Sequence, residues 1–163
     1  MGLLGEWELP DVVSSLVEVV VFRFREDHPE YLLMRRSPGQ RVYPNVWQFV
    51  TGKVRKGERG TEAALREVRE ETGFTPLHFW VVPFVNSFFD PLADSIALVP
   101  TFACQVHPHE DPILSAEHNS FEWLPREPAL QRLVWPGGKG ALEVVHRSIL
   151  GGDKAGILTR LDP

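Results

Sequence analysis

Cysteine is almost missing from this chain. Cys104 is its one thiol, which excludes an intrachain disulfide, fits a reducing compartment and, inside an apolar run, reads as a packed small hydrophobe. Also missing is any apolar run of about 18 residues or more, as a membrane-spanning helix requires. No block of Lys and Arg offsets the formal net charge of −5, so neither a nucleic-acid polymer nor an anionic membrane surface is an expected partner. The histidines lack the spacing of a zinc site, and there is no internal repeat or low-complexity segment. No charged and apolar leader opens the chain, so the expectation is a soluble, cytoplasmic protein. Its 163 residues suffice for one domain with a sizeable core and are too few for two. We therefore expect a single domain over residues 1–163, with 1–11 as an N-terminal arm.

What is present alternates between β-rich runs and two helical stretches. SLVEVVVFRF, from Ser15 to Phe24, reads as a strand buried on one or both faces and interrupted by Glu18 and Arg23. After a polar turn, Tyr31 to Arg36 returns as the second strand of a hairpin. Val46 to Val54 contains a short strand, Leu77 to Phe89 and Ser95 to His107 are long apolar runs, and Glu117 to Leu124 is another short strand. Pro128 to Leu133 reads as a short helix or turn and Pro136 to Leu150 as the closing helix. The pattern is that of an α/β layered domain.

The densest chemistry lies between Gly52 and Phe74, GKVRKGERGTEAALREVREETGF. Its central part predicts a helix over Glu62–Thr72, with Thr61 as N-cap and Gly73 as the left-handed stop. At about 100° per residue, Glu67, Glu70 and Glu71 share one face, while Thr61, Leu65, Val68 and Thr72 form a more apolar stripe. Three carboxylates in the last turns oppose the helix dipole, so cations are expected there, from Arg66 and Arg69 or from a ligand. Gly52, Glu58, Arg66, Glu67, Glu70, Glu71 and Gly73 are seven fixed identities. At about one in twenty each, their joint spacing arises by chance on the order of once in 10⁹ start positions.

With every position filled, this stretch resembles the box of the Nudix hydrolases, enzymes that cut nucleoside diphosphates linked to another moiety. The resemblance implies the Nudix fold, a mixed β-sheet sandwiched between α-helices, over nearly the whole chain. It also implies a magnesium cofactor, replaceable by Mn²⁺, held by Glu67, Glu70 and Glu71 with the backbone carbonyl of Gly52, and a Glu58–Arg66 pair that orients them. Outside the box, Glu117 in SAEHNSFEWLP matches the place where the family often sets a further Glu, as metal ligand or general base. Glu110, Asp111 and Glu122 are its rivals. Arg35 and Arg36, then Arg41 and Lys53, are candidates for phosphate contacts. Trp47, Phe49, Phe88 and Trp135 could stack on a flat ring, and Gln48 could read a ring edge or bond the backbone. His118 is read as a neighbour of Glu117 and not as a ligand.

The lead WQFVTG, with AEHNSFEWL and Trp135, is similar to the dATP and dihydroneopterin triphosphate pyrophosphatase branch. That similarity implies a small nucleotide or pterin polyphosphate as partner, cleaved to a monophosphate and pyrophosphate. Diadenosine polyphosphate hydrolases share the W-Q-F start but continue toward Gly-Gly, where this chain has Thr51-Gly52; Pro91 is the one hint of an ADP-ribose pyrophosphatase. A non-catalytic ligand-binding regulator on the same fold is the alternative from another class, disfavoured by the intact acidic set. Homodimers are common in the family.

Overall fold

The valine-rich second strand explains the architecture. In the computed structural model, which describes residues 11–161, β1 (Asp11–Val13), β2 (Leu16–Arg25), β3 (His28–Arg36), β4 (Trp47–Gln48) and β5 (Val50–Lys53) precede the helix α1 (Gly60–Thr72). They are followed by β6 (His78–Asp90), β7 (Ser95–Gln105), β8 (His118–Leu124), α2 (Arg126–Arg132), α3 (Pro136–Val144), a π-helical turn (Val145–Ile149), α4 (Lys154–Leu158) and β9 (Arg160–Leu161).

β2 is central. It runs parallel to β7 from Glu18↔Thr101 to Phe22↔Gln105, and antiparallel to β5 at one end and to β3 at the other. Because strand side chains alternate, Val17, Val19 and Val21 point to one face with Ala64, Val68 and Phe102. Val20 and Phe22 point to the other, with Phe49, Leu142 and Val145. Both faces are therefore covered, which is why the strand reads as an apolar run. The result is a mixed sheet between α1 on one side and α2, α3 and the π turn on the other, as expected. Removing a side chain such as Phe22, fully buried between these layers, costs about 3–5 kcal/mol.

Several boundaries moved for identifiable reasons. The hairpin turn uses Glu26 (φ 49°) and Asp27 (φ 63°), both left-handed, so pairing starts at His28. Arg59, not Thr61, is the N-cap, because the Glu62 carboxylate takes the Arg59 backbone N–H at 3.0 Å. Gly73 closes α1 at φ 74°, as expected. The Val46–Val54 strand splits at Phe49, which turns into the core. β6 carries a register shift between Val81 and Val85, around Pro83, which has no N–H to give a ladder. The closing helix changes to a π turn after Val144. Asp11, assigned to the arm, opens β1 and pairs with Ser95 of β7; residues 1–10 of that arm lie outside the described residues. β1, α4 and β9 were not expected; β9 is two residues long and is defined by its pairing with Phe79 and Trp80. Among the described residues no helix is long and apolar enough to cross a membrane.

Candidate active site

α1 lies against β5, and one close approach sets the site. A Cβ built on Gly52 would sit 1.9 Å from Cδ of Glu67, so only glycine lets this carboxylate lie across the strand backbone. Next to it the Arg66 guanidinium is fully engaged. Its Nε and one terminal nitrogen donate to the two oxygens of Glu58 at 2.7 and 2.9 Å, and that same nitrogen donates to the Lys53 carbonyl at 2.9 Å. The other terminal nitrogen reaches Glu67 at 2.6 Å and Glu70 at 3.1 Å. Such a bidentate, charge-assisted fork fixes Glu58 and Glu67 in place. The fork holds Glu58 down to about 2, helped by the Arg55 backbone N–H, and its acceptors hold Arg66 above its ordinary range. Arg55, which the sequence reading passed over, adds two contacts to Glu70 at 3.0 and 3.2 Å.

The expectation that Glu67, Glu70 and Glu71 share one charged face needs correcting. Glu70 is exposed, Glu67 half-buried, and Glu71 is buried with Ala63, Ala64, Val68 and Thr72 on the packing side of α1. At four residues from Glu67, Glu71 falls on the boundary between stripe and charged face, and β5 and β8 close over it. Thr61 and Leu65, placed on the apolar stripe, are only partly buried. Burial, then the charges of Glu67 and Glu117, push Glu71 up to about 9, opposed by Arg36 and by the Thr51 backbone N–H beside it. Among the described residues its Oε2 has no hydrogen-bond partner. Glu67 is raised as well, first by burial.

His118 is more than a neighbour. It is buried, with Nδ1 3.9 Å from Glu71 Oε2 and no hydrogen bond there, while Nε2 lies 3.3 Å from Gln48. Burial, with the charge of Arg36 second, brings it down to about 4, so it is neutral at physiological pH. Gln48 bonds the Thr51 hydroxyl at 3.3 Å instead of backbone. No spacing marks His118 in the sequence; its role follows from the β3–β8 pairing, which sets it opposite Arg36.

Glu117 is exposed in the turn just before β8, and its carbonyl accepts the Ser37 N–H at 2.8 Å. Its charge raises both Glu67 and Glu71, which places it at the same site. Two rivals have their carboxylates engaged elsewhere, Glu122 with Arg132 and Asp111 with Trp123 and Arg23, while Glu110 gives Arg23 its backbone carbonyl. Of the phosphate candidates, Arg36 faces Glu71 while bracing the loop after β3 through the Val42 carbonyl and Gln40. Lys53 is exposed beside the Arg66 fork. Arg35 reaches the Asn45 carbonyl, and Arg41 is exposed on the loop. Trp47 is half-buried, with Arg132 over its ring at 4.9 Å, so that face is taken.

No group of three or more His, Cys, Asp and Glu is preassembled as a metal site among the described residues, because Arg66 and Arg55 occupy Glu67 and Glu70. The donor set nevertheless fits a hard divalent cation: carboxylate oxygens from one helix, a strand carbonyl at Gly52, and the orphaned buried Oε2 of Glu71.

The sequence matches the NUDIX domain model over residues 15–145. It is 36% identical over 128 residues to the Octanoyltransferase of Myxococcus xanthus, covering 74% of this chain but 33% of that protein, so it spans about a third of that relative's length. It is 27% identical over 126 residues to the Dihydroneopterin triphosphate diphosphatase of Escherichia coli K12, covering 69% of this chain and 80% of that one. Among solved structures, a Caenorhabditis elegans Ap4A hydrolase in binary complex superposes with a TM-score of 0.71 at 23% identity, covering 85% of this chain and 99% of that one. At that identity the likeness is one of fold.

Proposed function

The chain belongs to the NUDIX domain family of pyrophosphohydrolases, and from that premise we propose that it cleaves a phosphoanhydride of a nucleoside- or pterin-type triphosphate, releasing a monophosphate and pyrophosphate. The observation that carries this reading is the Arg66 fork on Glu58, Glu67 and Glu70 beside a buried, half-unpartnered Glu71. A solvated helix has no use for a carboxylate buried at a cost of about 1–3 kcal/mol or more per unmet group.

Glu67, Glu70, Glu71 and the Gly52 carbonyl would hold Mg²⁺, or Mn²⁺ in its place. When bound, the ion supplies charge for the phosphate oxygens and lowers the pKa of a coordinated water. The chain's own residues do the rest. Glu58 keeps Arg66 extended, and Arg66 keeps Glu67 across Gly52, so that one carboxylate is in place before substrate arrives. Arg36 and Lys53 meet phosphate oxygens at the two sides of the acidic cluster. Glu117, exposed and facing Glu67 and Glu71, accepts a proton from the attacking water. Neutral His118 and Gln48 close the rear of Glu71. We further infer a cytoplasmic enzyme, working as a homodimer.

The experiment is a panel at saturating Mg²⁺: nucleoside triphosphates of each base, dihydroneopterin triphosphate, diadenosine tetraphosphate and ADP-ribose, each assayed for monophosphate and pyrophosphate. Pyrophosphate from triphosphates is the expected product. Turnover confined to the dinucleotide or to ADP-ribose overturns the substrate class.

A further inference from the structure

On the sheet face opposite α1, three strands set polar side chains in one cross-strand row: Thr51 of β5, Glu18 of β2 and Thr101 of β7. Their neighbours on that face, Val20, Phe22, Phe49 and Ala103, are core. Glu18 is 7% exposed and Thr101 0%. They lie side by side, and the Thr101 hydroxyl eases the charge on Glu18, yet among the described residues neither Glu18 Oε1 nor Thr101 Oγ1 closes a well-aligned hydrogen bond. An aliphatic residue would fill this place without the cost of an unmet carboxylate, so the fold itself does not account for Glu18.

The row joins the active site. Thr51 precedes Gly52, its backbone N–H lies at Glu71, and its hydroxyl is bonded by Gln48. On the same face, Asn86 stands opposite Val99 and Phe88 opposite Ala97, two and four residues along β7 from Thr101. The start of α3 lies over them: Cβ atoms built on Gly137 and Gly138 would meet Asn86 Oδ1 at 2.0 Å and Phe49 at 4.0 Å. Just before these glycines Trp135 is 46% exposed, with its ring 5.0 Å from that of Tyr43. Glu18, Thr51 and Thr101 thus share one side of the sheet with the start of α3 and with the Trp135–Tyr43 pair beside it.

We propose that Glu18, with Thr101 beside it, reads the edge of the substrate's ring and selects the 2-amino-4-oxo-pyrimidine edge shared by guanine and pterins. That edge presents a ring N–H next to an exocyclic amine, two donors for the two oxygens of one carboxylate. Adenine presents an acceptor nitrogen next to its amine and mismatches one oxygen. Hypoxanthine keeps the N–H and lacks the amine. This inference rests on the triphosphate reading above and deepens it, and Trp135 and Tyr43 supply the stacking surface.

The test uses the full chain with Mg²⁺ and the guanosine, inosine and adenosine triphosphates. Kd is measured by calorimetry on α,β-non-hydrolysable analogues and kcat/KM on the hydrolysable forms. Guanosine should exceed adenosine by about tenfold or more in both, with inosine between, as a site built for hydrogen bonds discriminates against an edge that leaves one unmet. Glu18→Leu should collapse the order. Glu18→Gln, whose amide gives one donor and one acceptor, should move the preference toward adenosine. Parent protein that binds adenosine as tightly as guanosine, or a Glu18→Leu variant that keeps the order, overturns the assignment while leaving triphosphate hydrolysis standing. No turnover of any triphosphate, with turnover of another compound in the panel, removes both. The base order of the parent alone decides the matter should either variant fail to fold.

Discussion

Replacing Glu71 by Gln keeps the side chain's size and removes its ability to ionise, at the one box carboxylate that is buried. The unfolded chain ionises this group near 4.5, whereas burial and the charges of Glu67 and Glu117 push it up to about 9 in the folded state without metal. A raised carboxylate contributes no penalty below its unfolded pKa. As pH climbs from about 4.5 toward 9, the folded state holds a proton that the unfolded state has released, and stability falls. At about 1.4 kcal/mol per unit, three units up to pH about 7.5 set a ceiling of about 4 kcal/mol. Local relaxation and water entry bring the expected gain on substitution to about 1–2 kcal/mol. For a domain of this size that is roughly 2–8 °C in Tm.

The assay is thermal unfolding of parent and Glu71→Gln in chelator, at pH about 5 and about 7.5, repeated with saturating Mg²⁺. In chelator the variant should be more stable at the higher pH and nearly equal to the parent at the lower. Mg²⁺ should stabilise the parent, because it favours the ionised form, and have little effect on the variant. Turnover should fall about a hundredfold or more, as several kcal/mol of transition-state stabilisation are lost. A variant less stable than the parent at pH about 7.5, or a stability gap independent of pH, would refute the reasoning.

Two further substitutions test the other parts of the site. Arg66→Lys keeps the charge but cannot span Glu58, Glu67, Glu70 and the Lys53 carbonyl at once; titration calorimetry should show metal affinity about tenfold or more weaker, and unchanged affinity assigns the fork to folding alone. Glu117→Gln should lower kcat far more than it raises KM and shift the acidic limb of the pH profile, whereas Glu122→Gln, which loses an exposed pair with Arg132, should do neither; equal small losses in both variants return Glu117 to ordinary surface acids.

The sequence disclosed what depends on local pattern. The Gly52–Phe74 stretch carried helix, stop and acidic set in one reading, and the Glu58–Arg66 pair is present as the resemblance implied. The valine run announced a strand covered on both faces. What it withheld depends on pairing across the sheet. Glu71 sits at the edge of two stripes on a helical wheel, and only the position of β5 and β8 decides that it is buried. His118 and Arg36 are more than eighty residues apart in the chain and face each other through one register of β3 with β8. Arg55 lies in a loop with no periodicity, and its reach to Glu70 is a matter of loop path. β1 and β9, at three and two residues, are too short to carry a pattern of their own.

One residue ties the two halves of the site. Thr51 presents its backbone N–H to Glu71 and its side chain, on the other face, to the row that contains Glu18. Period-two alternation along β5 makes this automatic: Gly52, next in line, approaches Glu67 while Thr51 turns to the opposite layer. The phosphates and the ring of one substrate would thus be held on opposite faces of the same short edge strand, bridged by a single side chain and its neighbouring peptide. Both carboxylates that meet Thr51 are buried and incompletely partnered, Glu71 on one face and Glu18 on the other, and both are raised, to about 9 and about 7 respectively, with burial the largest cause in each. Local rules are broken twice within reach of one strand, and burial outweighs what Arg36 and the Thr51 N–H give Glu71 and what the Thr101 hydroxyl gives Glu18. That is the signature expected where a cation and a polar ring, and not the fold, complete the hydrogen bonding.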